Sequence, residues 1–122
     1  TAAKAREGGL SPLSPEAALT LIPRNMKPEG EGYVWQTDPR LRHPSPLMMT
    51  EEQVLASLSA IETRVLFVRA DAGLLSYRKD LDKRADAIAN LQIVNVPGGH
   101  HCHLDGETGP AATAIRQFLE NE

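Results

Sequence analysis

The sequence predicts an α/β fold: a helical and irregular N-terminal segment followed by a parallel β-α-β-α unit. Three observations predict it. Arg64-Val65-Leu66-Phe67-Val68-Arg69 and Leu91-Gln92-Ile93-Val94-Asn95-Val96 read as short strands dominated by apolar residues. Between them, residues 78–90 carry Leu81, Ala85, Ile88 and Ala89 on one side of a helix. After them, Pro110 opens a last helix whose Ala111, Ala114, Ile115, Phe118 and Leu119 can face a core. A strand–helix–strand crossover of this length implies parallel pairing, right-handed.

The N-terminal elements follow from local signals. Residues 1–9 read as a helix tail or a frayed end, closed by Gly8-Gly9 and Ser11-Pro12. Ser14 suits an N-cap, Pro15 the first helical position and Glu16 the first turn. Ala17, Ala18, Leu21 and Ile22 supply that helix's apolar face, and Pro23 is expected to limit its extent. Seven of the nine prolines lie between Pro12 and Pro46, so residues 27–46 read as turns without a long regular element. Thr50 before Glu51-Glu52-Gln53 is a capping-box pattern, followed by Val54, Leu55, Leu58 and Ile61 at helical spacing.

Composition bounds the function. The 122 residues match one ordinary domain, and 41% hydrophobic with 24% charged residues is a globular composition. A net charge of −3 excludes the cationic excess that sequence-independent nucleic-acid binding requires. No apolar run approaches the roughly 18–20 residues that span a bilayer. Cys102 is the single cysteine, which excludes an internal disulfide framework and makes the cytoplasm the expected compartment.

Strand counting leads further. Parallel strands are normally buried on both faces in sheets of several strands. The sequence supplies two convincing ones, and its first methionine is Met26. Together these lead to the expectation that another polypeptide completes the sheet.

In open parallel sheets, sites form beyond the carboxyl ends of the strands. Two such loops, residues 70–75 and 97–105, are brought together by adjacent strands. The first holds Asp71. The second holds His100, His101, Cys102, His103 and Asp105. An acid after one strand and a histidine after the next is what a Ser–His–acid site uses: the acid orients the imidazole, which takes the nucleophile's proton. The alternatives are blander. Cys102 reads as an inert buried thiol. The adjacent histidines lack the two separated ligand pairs of a structural zinc site, and the only distant histidine is His43. Thr1 does not read as an N-terminal nucleophile, because a helical stretch and Gly8-Gly9 follow it. The mixed-sign run Arg78-Lys79-Asp80-Leu81-Asp82-Lys83-Arg84 reads as a solvated helix face.

Pro97-Gly98-Gly99-His100, with Asp105 five residues on and a closing Ala-rich helix ending Ile115-Arg116-Gln117-Phe118-Leu119, resembles the C-terminal end of an α/β-hydrolase. Residues 61–73 look like that fold's penultimate core strand and acid loop. Tyr33-Val34-Trp35-Gln36-Thr37-Asp38-Pro39-Arg40-Leu41, then Ser45-Pro46-Leu47, resembles the cap of the serine-hydrolase-like branch. The resemblance covers residues 14–120. It implies a partial α/β-hydrolase fold, with residues 1–62 as cap and residues 63–122 as the C-terminal part of the core. It implies His100 as catalytic base and Asp71 as a candidate acid, although the family's usual acid position falls on Gly73. Trp35, Leu47, Met48, Met49, Leu74 and Leu75 become candidates for an apolar substrate pocket. No G-x-S-x-G nucleophile elbow occurs in the chain. The resemblance therefore implies a second polypeptide carrying the serine, an ester or related acyl substrate, and no cofactor. The alternative is a non-catalytic hydrolase-like binding module, and a weaker one a small His-rich metal-binding domain.

Overall fold

A computed structural model describes residues 2–8, 11–78 and 80–121. Thr1, Gly9 of the expected Gly8-Gly9 break and Lys79 of the charged run lie outside the described residues. The chain divides into two compact units, residues 1–48 and 49–122. The 62/63 boundary read from the sequence falls just before the first strand of the second unit.

In the first unit, α1 is Ala2–Arg6 and α2 is Pro15–Asn25. Ser14 caps α2 as its residue type dictates: the side chain accepts from the Ala17 N–H at 3.2 Å. Leu13, Ala17 and Ala18 are buried. Pro23 does not end the helix, contrary to expectation. It sits in the last turn, where it removes a single backbone donor, and the Met26 N–H still bonds the Ile22 carbonyl.

The stretch expected to be irregular begins with a hairpin. β1 (Met26–Glu29) pairs antiparallel with β2 (Gly32–Trp35), in the register Glu29↔Gly32 and Pro28↔Tyr33. Gly30 has φ +56°, so the two-residue turn has positive φ only at its first central position, where glycine is favoured. Gln36 closes the open end. Its N–H donates to the Asn25 carbonyl at 2.8 Å and its Nε2 to the Met26 carbonyl at 2.9 Å. Asp38 then caps a 3₁₀ turn, Pro39–Arg42, accepting from the Arg40 N–H at 2.9 Å and pairing with its guanidinium at 2.6 Å.

In the second unit, α3 (Glu51–Ser59) starts at the predicted capping box. The Gln53 N–H donates to Thr50 Oγ1 at 3.4 Å, and the Thr50 N–H to Gln53 Oε1 at 2.9 Å. β3 (Val65–Ala72) and β4 (Leu91–Gly99) pair in parallel, from Val65↔Leu91 to Ala70↔Val96. Among the described residues they pair only with each other. The crossover helix is shorter than residues 78–90. A 3₁₀ turn, Leu74–Tyr77, precedes α4 (Leu81–Asp86), and i to i+3 bonds from Ala87 and Ile88 tighten its end. The Asn90 side chain then donates to the Glu62 carbonyl at 2.8 Å and aligns the start of β4. The Arg84 guanidinium ties α4 to α3 through two bonds to Glu51, at 2.6 and 3.3 Å.

α5 (Gly109–Glu120) begins one residue before Pro110 and buries Ala111 and Ala114. With Ala70, Val96 and Cys102 these form the core, and Val68 and Val94 pack against it. Arg64 locks the far end of α5. Its guanidinium lies 4.5 Å from the centre of the Phe118 ring and donates to the Phe118 carbonyl at 3.0 Å. No described helix is long and apolar enough to cross a membrane.

Candidate active site

The C-terminal ends of β3 and β4 part company at an irregularity. Ala70 pairs with Val96, but the next pair is Ala72 with Gly99. Pro97 and Gly98 therefore stand opposite Asp71 alone, which is a β-bulge in β4. Both strands run further than the sequence indicated, so Asp71 lies within β3 and not in a loop after it. Gly98 takes φ +108°, a conformation that side chains other than glycine's avoid. Its N–H donates to Asp71 Oδ1 at 3.0 Å.

The bulge delivers the chain into a turn that carries the histidines. The Cys102 N–H bonds the Gly99 carbonyl at 3.1 Å, and the Leu104 and Asp105 N–H groups bond the His101 carbonyl. This folding puts the Cys102 thiol into the core as a free, buried group, as its sequence context predicted. His100 is exposed just beyond β4. The imidazoles of His100 and His101 meet edge to face at 5.0 Å, and those of His101 and His103 at 5.9 Å. Among the described residues no three His, Cys, Asp or Glu side chains are grouped to hold a metal ion.

His100 lines a cleft of about 310 Å³ between the sheet and α5. Its walls are mostly apolar, from Val68, Ala70, Leu74, Leu75, Ala111 and Ile115. Leu74 and Leu75 line the same cleft as His100. Asp71 lines a different hollow, with Ser76, Arg78, Asp82 and Asn95. Strand alternation is the reason: Ala70 turns to the core, so Asp71 turns to the opposite face. Met49 is half exposed and is not among the residues lining this cleft. Trp35, Leu47 and Met48 belong to the first unit, where all three are exposed.

The sequence reading named Ala111 and Ile115 only as core residues of the last helix, yet both line the cleft. Their helical spacing was the available signal. Gly98 stands in a turn motif, and its bond to Asp71 has no signal in sequence spacing.

No protein-family model matches the chain. A serine hydrolase-like protein of Dictyostelium discoideum is 30% identical over 96 residues, covering 74% of this chain and 26% of that protein. A probable serine hydrolase of Drosophila melanogaster is 37% identical over 109 residues, covering 82% of this chain and 32% of that protein. Among solved structures, a hypothetical protein from Pseudomonas aeruginosa PAO1 matches with a TM-score of 0.85 at 35% identity, over 98% of this chain and 43% of that one. A thioesterase domain from the curacin biosynthetic pathway matches with a TM-score of 0.71 at 25% identity, over 97% of this chain and 42% of that one.

The chain is a relative of the serine-hydrolase-like α/β-hydrolases. This hydrolase relative spans 26% and 32% of the Dictyostelium and Drosophila proteins. It spans less than half of the solved neighbours, at 43% and 42%.

Proposed function

We propose that the chain forms the C-terminal portion of a serine α/β-hydrolase acting on an ester or related acyl substrate, with His100 as its general base. One observation carries the reading: His100 is presented beyond the carboxyl end of a parallel strand, on an apolar cleft, in a relative of serine hydrolases. The solved neighbour named as a thioesterase supports an acyl substrate.

The chain contains no G-x-S-x-G motif, so the serine and the oxyanion hole belong to polypeptide outside these residues, which completes the sheet beside β3 and β4. In the reaction, the serine Oγ attacks the acyl carbonyl and its proton passes to the His100 imidazole. The imidazolium returns that proton to the leaving group as the acyl-enzyme forms. Water, deprotonated by the same imidazole, then attacks the acyl carbonyl, and the imidazolium protonates the departing serine Oγ as the acid is released. Leu74 and Leu75, which line the cleft with His100, contact the apolar part of the substrate. Cys102, free and buried, supports a cytoplasmic setting.

The test combines intact mass with a fluorophosphonate probe on the purified native protein. The probe is expected to label a serine on polypeptide containing G-x-S-x-G, either continuous with this chain or separate from it. His100→Ala is expected to lower kcat by about 10⁴–10⁶-fold while assembly survives. Turnover that persists in this variant removes His100 from the mechanism. A homogeneous 13.3 kDa species that no fluorophosphonate labels instead favours the non-catalytic binding module, the reading that the missing nucleophile motif also permits.

A further inference from the structure

We infer that Asp71 is a positioning residue: its carboxylate clamps the bulged turn that presents His100, and so acts on the backbone and not on the imidazole. The inference rests on the reading of His100 as the base.

The bulge puts two residues of β4 opposite Asp71, so one or more backbone donors leave the ladder. Pro97 has no N–H, which leaves Gly98 as the backbone donor at the bulge. Asp71 Oδ1 accepts it at 3.0 Å. Gly98 is also where the chain has the most freedom to lose, since φ +108° is reached by glycine and avoided by others. Without the clamp, the Pro97-Gly98-Gly99 joint between β4 and His100 is the loosest point in the presentation of the imidazole.

The direction of the carboxylate argues the same way. Asp71 lines a hollow with Ser76, Arg78 and Asn95 and is not among the residues that line the cleft with His100. Among the described residues the Asp71 carboxylate takes one hydrogen bond, and it comes from the turn.

The two roles for Asp71 make opposite demands on a single substitution. Asp71→Asn keeps an oxygen acceptor for the Gly98 N–H but removes the charge that an acid beside an imidazole supplies. In the assembled hydrolase, D71N is expected to keep at least about a tenth of the kcat, because the turn is still held. Asp71→Ala is expected to lose about 10–100-fold in kcat with a smaller change in KM, as misplacement of a reacting group does. A D71N loss approaching 10⁴-fold is the signature of a triad acid. Any D71N kcat below about a tenth, or full activity in D71A, overturns the clamp. If D71A fails to fold, seen as loss of its melting transition, D71N alone decides. His100→Ala in parallel keeps the two ideas apart: turnover surviving there overturns the base assignment itself, whatever the Asp71 variants do.

Discussion

Gly98 and His100 show how one residue type prepares the ground for another. A side chain at Gly98 meets no obstruction, since an added Cβ lies 3.8 Å from Cys102 Cβ, an ordinary contact. The cost of Gly98→Ala is therefore conformational, at about 1–3 kcal/mol for a non-glycine residue held at positive φ. Chemical denaturation is expected to show that loss. Gly73 differs. Its φ is ordinary, but an added Cβ lies 3.2 Å from both the carbonyl oxygen and the Cβ of Ala70, so crowding is the obstacle. At this scale the candidate site was half legible. The Gly-Gly-His string after an apolar run places a histidine at a strand end whatever the rest of the chain does. The direction of Asp71 was not legible, because it depends on where the two strands fall out of step, and that register belongs to the pair.

Among the elements, those governed by neighbours within a few residues were the ones the sequence revealed. Thr50 and Gln53 are three apart and make their reciprocal bonds. Thr50→Ala is expected to destabilise the second unit by about 1 kcal/mol, measured as a lower denaturant midpoint. The hairpin was hidden by Pro28, which argues against a strand. In the observed register Glu29 and Gly32 flank the turn as a bonded pair, so Pro28 falls at a non-bonded position and its missing donor faces the free edge. The crossover helix was overestimated because side-chain pairing competes with its first turn. Arg78 bonds Asp80 at 2.8 Å and holds that carboxylate down to about 2, below its ordinary value of 3.8. A depressed carboxylate stabilises the fold above its unfolded pKa and loses that contribution as pH falls through the folded one. The melting temperature is therefore expected to drop between about pH 4 and pH 2, and Asp80→Asn is expected to flatten part of that slope.

For the whole molecule, the fold class was legible and its extent was not. Two apolar runs and the helical spacing between them were enough for a parallel pair. The buried core of the second unit, however, rests on small residues, and Ile93, Ile115 and Leu119 remain 41%, 45% and 65% exposed. Such surface on a unit of this size fits the proposal that further polypeptide covers it. The chain purified by itself is accordingly expected to bind a hydrophobic dye such as ANS, and the fluorescence to fall when polypeptide bearing the serine is added. Dye binding that the complement does not reduce counts against the proposed assembly.

The two strand pairs close over different spans of chain. The hairpin needs only Gly30 and Glu31 between its strands, whereas β3 and β4 are separated by residues 73–90. Hairpins form in about 1–10 μs, while pairings distant in sequence wait for loop closure. Because His100 hangs on the distant pair, its loop is expected to form after the hairpin. Pulse-labelling hydrogen exchange is expected to protect the Val34 amide before the Val96 amide. A nascent chain is thus expected to acquire its hairpin well before the loop that carries the proposed base.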